Sequence, residues 1–266
     1  MRAALAVLLL AALVPAASLA QKGFQPTGDY TVVIDGKPVP GEVYQSSSPP
    51  AILLLTSSLP SPLLLTPRAG TVETLNLMKV AKQPNGSVDL LPGAVVAPAG
   101  QFEMQGENVA FTSEGKKVSL VPKPPLTGLH NAADLKAHSP EYVRTAQGYT
   151  PNGQAIATLK KGTQPVTVRV VFGSWCPHCK QHVPYLLKVE DLLKGSKIKF
   201  EYFGLPRPPQ AWEHPEVKRL GVNGVPTGIV YMNGKEVGRI TGKGWDAPEV
   251  LLSRIVNVAG GQQQGR

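Results

Sequence analysis

Cys176-Pro177-His178-Cys179 contains the only two cysteines of the 266-residue chain. A disulfide stabilises by restricting the unfolded chain, and the gain grows with the closed loop, so a bridge across two residues contributes little. Thiol exchange suits the spacing better. It needs an attacking thiolate and a second thiol close enough to resolve the mixed disulfide. Zinc or copper is the rival use, because Cys176, Cys179 and His182 are all potential ligands. No second cysteine pair or histidine cluster completes a tetrahedral set, and Lys180 stands where a c-type haem would require histidine. The residues therefore call for no metal and no cofactor.

The pair must be held by the elements on either side of it. The β-branched run Val166 to Phe172 predicts a buried central strand, and a helix is expected from the cysteines to about Lys194, ending at Gly195. Cys176 then lies at a helix N-terminus, where unsatisfied N–H groups and the macrodipole favour a thiolate, and His178 adds positive charge beside it. Cys176 is expected to attack, and Cys179, one turn further in and more buried, to resolve.

Around this unit the chain divides by composition. Tyr30 to about Val121 reads as short strands with turns at Asp35-Gly36, Asn85-Gly86, Pro92-Gly93 and Glu114-Gly115, which predicts a small all-β sandwich or barrel over residues 24–121. Leu-Leu-Leu-Thr, found at Leu53 and again at Leu63, reads as two core strands. Residues 122–138, opened by Pro122-Lys123-Pro124-Pro125, are expected to be a linker. Ser139-Pro140-Glu141 then starts a helix, followed by alternating elements: a short strand at Ile156 to Leu159, the central strand, the cysteine helix, a strand at Ile198 to Phe203, a helix at Glu213 to Leu220, strands at Gly228 to Met232 and Lys235 to Thr241 around Asn233-Gly234, and a last helix to about Val258. Residues 259–266 are expected to be a disordered tail.

Met1-Arg2, the apolar stretch to Val14 and the small residues Ser18 and Ala20 form a secretory signal over residues 1–20, with cleavage after Ala20. The run is shorter than the roughly 20 residues of a membrane span, so no stable membrane insertion is expected. Export would place the thiols in the periplasm or outside the cell, where disulfides persist. The formal net charge is +9, yet Lys and Arg are dispersed, which points to a solvated surface and away from nucleic acid.

Trp175-Cys176-Pro177-His178-Cys179 at a helix start, with Gly224-Val225-Pro226-Thr227 opening a later strand, resembles the thioredoxin family over residues 139–258. The resemblance implies an α/β thioredoxin-like fold and a cis Val225–Pro226 bond against the cysteines, with the Val225 backbone free to pair with an extended substrate. Pro184 fits the proline inside the family's active-site helix, and Asn233-Gly234 its hairpin. The implied catalytic set is Cys176, Cys179, His178 and Pro226, with Trp175 and Val225 contacting substrate. Clients would be protein thiols or disulfides, with a membrane redox partner suited to an exported reductase. Pro-His between the cysteines matches the strongly oxidising periplasmic Dsb branch, which favours an oxidant, whereas the compact domain equally suits a reductase.

Two positions depart from the family. Val170 stands where thioredoxins place a buried Asp, and His182 where reductase-like periplasmic members often carry Glu. Glu201 on the next strand is the candidate substitute acid. The competing function is an envelope binding protein that uses the fold only as a scaffold. The β domain could recognise clients, dimerise or hold the redox domain at a surface.

Overall fold

A computed structural model describes residues 21–264, and the expected signal segment lies outside them. The described chain divides into two units: residues 21–26 with 32–119, and residues 27–31 with 120–264. Strands β1 (Gln21–Thr27), β2 (Tyr30–Ile34), β3 (Lys37–Val39), β4 (Glu42–Ser47), β5 (Pro50–Leu55), β6 (Leu63–Thr66), β7 (Thr71–Leu75), β8 (Val80–Lys82), β9 (Val88–Leu90), β10 (Val95–Gln105), β11 (Asn108–Ser113) and β12 (Lys116–Pro122) build an all-β domain. They hydrogen-bond as one large sheet in the order β3-β2-β12-β11-β10-β7-β6-β5-β4-β1-β9-β8.

Local chemistry explains the hairpins. Asp35 and Gly36 take φ of 49° and 78°, Glu114 and Gly115 take 51° and 76°, and Asn233 and Gly234 take 52° and 76°. Two successive positive values make the two-residue turn whose twist matches the flanking strands. The two Leu-Leu-Leu-Thr segments are neighbours: β5 and β6 pair antiparallel with Leu53 opposite Leu64, and both side chains are buried with Phe24, Tyr44, Leu75, Val88 and Leu90.

The second unit contains β13 (Gly128–His130), α1 (Ala132–His138), α2 (Pro140–Gly148), α3 (Gly153–Lys161), β14 (Val166–Phe172), α4 (Pro177–Leu192), β15 (Ile198–Gly204), α5 (Gln210–Glu213), α6 (Pro215–Leu220), β16 (Thr227–Met232), β17 (Lys235–Ile240) and α7 (Pro248–Gln264). Its sheet runs β13-β15-β14-β16-β17. β14 is central, parallel to β15 and antiparallel to β16. Its alternation feeds two cores. Val168, Val170 and Phe172 pack with Val183, Leu186 and Tyr202 on one face. Val171 packs with Leu205, Val217 and Ile229 on the other.

Three expectations need correction. Ile156 to Leu159 is helical and lies within α3, because the Asn152 side chain accepts from Ala155 N at 2.9 Å and caps the helix, and Ala155, Ile156 and Leu159 form its buried stripe. Residues 122–138 are more than a linker. β13 joins the sheet edge, and α1 is closed by a capping box between Asn131 and Asp134. Gly204 permits this approach, since a side chain there would meet the Leu126 carbonyl. The tail expected from 259 continues α7 to Gln264, with Ala259 buried in the core.

Glu249, in the first turn of α7, is 1% exposed and ties the helix to the segment between α2 and α3. It accepts from the Tyr149 hydroxyl at 2.8 Å and from Asn152 N at 2.9 Å. Replacing it with Ala strands two donors and leaves space. Glu249→Ala is expected to lower the unfolding free energy by about 2–3 kcal/mol in urea titration, whereas a loss below about 0.5 kcal/mol would show that the tie is not structural.

Candidate active site

β14 ends at Phe172, and Gly173-Ser174-Trp175 turns the chain so that Cys176 becomes the N-cap residue of α4, with Pro177 at its first position. Proline suits that place because its φ is preset and the missing N–H had no helical partner. Gly173 is required by packing, since a side chain there would overlap the Trp175 ring. That ring is held in turn by its Nε1–H, which donates to the Leu205 and Pro206 carbonyls at 3.1 and 2.9 Å. Trp175 thus buttresses the loop that presents the thiol.

Both cysteines are reduced and buried, but their surroundings differ. The Cys176 pKa is lowered to about 6. The largest cause is a hydrogen bond from the Cys179 thiol. Burial opposes it, while the backbone N–H groups of Cys179 and His178 and the His178 charge add to it. In its protonated form the Cys176 thiol lies 3.7 Å from the Val225 carbonyl oxygen, to which it donates. Cys179 is fully enclosed, and burial pushes its pKa well above the ordinary thiol value, with the Cys176 sulfur adding to the rise. Gly173 N–H, 3.4 Å away, partly offsets this.

The Val225–Pro226 bond is cis. Beside it lies a groove of about 600 Å³ whose lining includes His178, His182, Val225, Pro226, Lys243 and Trp245. His178 is exposed, whereas His182 is half-buried and its Nδ1 has no partner among the described residues. The two rings are nearly parallel at 6.5 Å, and His182 meets Tyr185 edge-on at 5.4 Å. Pro184 lies buried inside α4. The structure therefore brings Trp175, Cys176, His178, Cys179, Val225 and Pro226 to one end of the sheet.

Glu201 does not join them. Period-two alternation turns Arg169 and Glu201 away from the face that carries Val170, Tyr202 and the cysteines, and Arg169 binds Glu201 at 2.9 Å and Glu216 at 3.1 Å. The proposed substitute acid is thus spent in an ion pair on the opposite face. Val170 is fully buried in the cysteine-side core. Among the described residues no group of three or more His, Cys, Asp or Glu is placed to hold a metal.

Two features were not anticipated from sequence. Lys180, next to Cys179, pairs with both carboxylate oxygens of Asp29, from the 27–31 segment that belongs to this unit. Tyr142, on α2, is 1% exposed and packs in the same buried cluster as both cysteines. Asp29 carries no sequence signal, because the contact spans 151 residues. Tyr142 follows a recognisable helix start, at Ser139-Pro140, but nothing local reveals what it packs against.

These surroundings set an order of effects on Cys176. Iodoacetamide alkylation of the reduced protein is expected to show a midpoint near pH 6 for Cys176. Cys179→Ala should move that midpoint upward furthest, and His178→Ala upward by less. A midpoint near the free-thiol value of about 8.5 would contradict the geometry.

Residues 153–251 match the family described as a thioredoxin-like domain. No curated protein matches the chain in sequence. Among solved structures, thioredoxin f2 of Chlamydomonas reinhardtii is 21% identical, with 37% of this chain and 85% of that one covered and a TM-score of 0.28. Thioredoxin from Aeropyrum pernix is 22% identical, over 35% of this chain and 73% of that one, at a TM-score of 0.24. A protein of unknown function from Pseudomonas aeruginosa is 15% identical over 49% and 88%, at 0.37. The chain thus carries a thioredoxin-like domain at residues 153–251, preceded by an all-β domain.

Proposed function

We propose that the protein is an exported thiol–disulfide oxidoreductase that exchanges disulfides with protein clients through Cys176 and Cys179. The observation that carries this reading is the contrast between the sulfurs: Cys176 is held largely as thiolate at neutral pH, and Cys179 as thiol one helical turn away. A client disulfide is attacked by the Cys176 thiolate. The client S–S bond breaks, one client sulfur departs as thiolate, and a mixed disulfide forms. Cys179 then attacks the Cys176 sulfur, closing the intramolecular disulfide and releasing the second client thiol. Run backwards, the same steps oxidise a client dithiol.

The lowered Cys176 pKa favours the reduced protein, and hence the oxidising direction, because a stabilised thiolate is a better leaving group and a weaker reductant. The Val225 carbonyl beside Cys176 supports strand-like docking of an extended client along the residues before Pro226. The secretory signal read at residues 1–20 supports export to the periplasm or cell exterior, where a membrane redox partner would regenerate the pair. No described helix is long and apolar enough to cross a membrane.

Cys179→Ser is expected to accumulate mixed disulfides with client proteins, because the first attack proceeds and nothing releases it, while Cys176→Ser should trap none. The reverse pattern would overturn the roles. Absence of thiol-dependent insulin reduction or client oxidation by the wild-type protein would overturn the enzymatic reading in favour of a binding scaffold. Equilibration in glutathione buffers is expected to give a potential well above the thioredoxin value of about −270 mV, and a value at or below it would reverse the direction. N-terminal sequencing of protein from the envelope fraction is expected to begin at Gln21, and full-length chain in the cytosol would refute export.

A further inference from the structure

Exchange in either direction places negative charge on Cys179, the sulfur least able to carry it. Its Sγ is fully enclosed, and burial opposes ionisation. One N–H donor, from Gly173 at 3.4 Å, faces it in the dithiol. β14 contributes only Val170 to this face, and Glu201 is occupied by Arg169 on the other. The remaining charged groups near α2 already have partners: Asp29 and Lys180 bind each other, and Glu141 accepts from Thr27.

Tyr142 is different. α2 packs along α4 and places this side chain, 1% exposed, in the cluster that contains both sulfurs. Its hydroxyl oxygen is buried and has no hydrogen-bond partner among the described residues. An unpaired buried hydroxyl is costly and rare in native proteins, so one beside a reacting pair calls for a reason. Burial, and then the Cys179 sulfur ahead of Glu141 and Cys176, hold the phenol pKa above its ordinary value. Tyr142 therefore stays protonated and meets an anion as a donor.

Resting on the exchange reaction above, we propose that the Tyr142 hydroxyl donates a hydrogen bond to the Cys179 thiolate formed during that reaction, as the internal counterpart of the donors that serve Cys176. When a client thiolate attacks Cys176 of the oxidised pair, the Cys176–Cys179 bond breaks and its electron pair goes to the Cys179 sulfur. The new bond joins Cys176 to the client. Tyr142 O–H turns to the thiolate, which then takes up the proton that the client thiol gave up. In the reverse direction Cys179 loses its proton as it attacks Cys176, and the departing client sulfur gains one. Tyr142 remains neutral throughout, and the two electrons pass only between sulfurs.

The test uses the full chain, oxidised at the pair. Reduction by dithiothreitol makes Cys179 the leaving group, and acid quenching with maleimide tagging follows its release. Tyr142→Phe keeps the ring and removes the donor, so the rate is expected to fall about tenfold or more, the scale of a lost hydrogen bond to a charged group. The Cys176 alkylation midpoint should remain near pH 6. A rate within about twofold of wild type overturns the proposal. If Tyr142→Phe fails to fold, 3-fluorotyrosine placed at 142 alone keeps the shape and strengthens the donor. It is expected to match or exceed the wild-type rate, and a fall would overturn the role. Wild-type protein that cycles while Tyr142→Phe is unaffected defeats only this proposal. Wild-type protein with no thiol-dependent exchange defeats the functional reading beneath it.

Discussion

One helical turn separates two sulfurs whose environments oppose each other, and most of the second unit serves to maintain that contrast. Cys176 stands where the first N–H groups of α4 have no helical partners, and Cys179 lies where the dielectric is low. Neither condition is local to the motif. The helix start is placed by β14, the central strand, and the enclosure comes from side chains on α2, β14 and α4. The Cys179 thiol then contributes the largest single effect on Cys176, so its being held as a thiol is part of what makes its neighbour a thiolate.

That dependence explains why some of the site could be read from sequence and some could not. Spacing and helix-start chemistry are local, and they identified the cysteine pair, the Ser139-Pro140 helix start and the three hairpins whose turn residues take positive φ. Ile156 to Leu159 was misread because four apolar-rich residues fit a strand or a helical stripe equally, and the deciding signal was the Asn152 cap four residues earlier. Prolines at 122–125 marked an extended segment correctly, but whether such a segment is solvated or becomes an edge strand depends on a glycine, Gly204, some eighty residues away.

Glu201 shows the limit in another form. As a carboxylate near the cysteine strand it was a reasonable substitute for the missing acid, and the parallel pairing of β14 with β15 does set Arg169 opposite it. Side-chain period along a strand then decides the matter. A shift of one residue reverses the face, so Arg169 and Glu201 point away from the thiols while Val170 and Tyr202 point towards them. A neighbour in sequence or register is a neighbour in chemistry only on the correct face.

Val170 therefore leaves a physical problem that other elements must solve. A buried carboxylate at that place would supply both a proton acceptor and a standing charge, and the standing charge would raise the pKa of any thiol beside it. An apolar strand residue removes that repulsion and is consistent with a Cys176 pKa near 6. It also removes help for Cys179. A neutral hydroxyl on α2 meets the second need without restoring the first penalty, since it has no charge at rest and presents a dipole only when a thiolate forms. On this argument Val170 and Tyr142 act as a pair, one lowering the cost of the resting thiolate and the other the cost of the transient one.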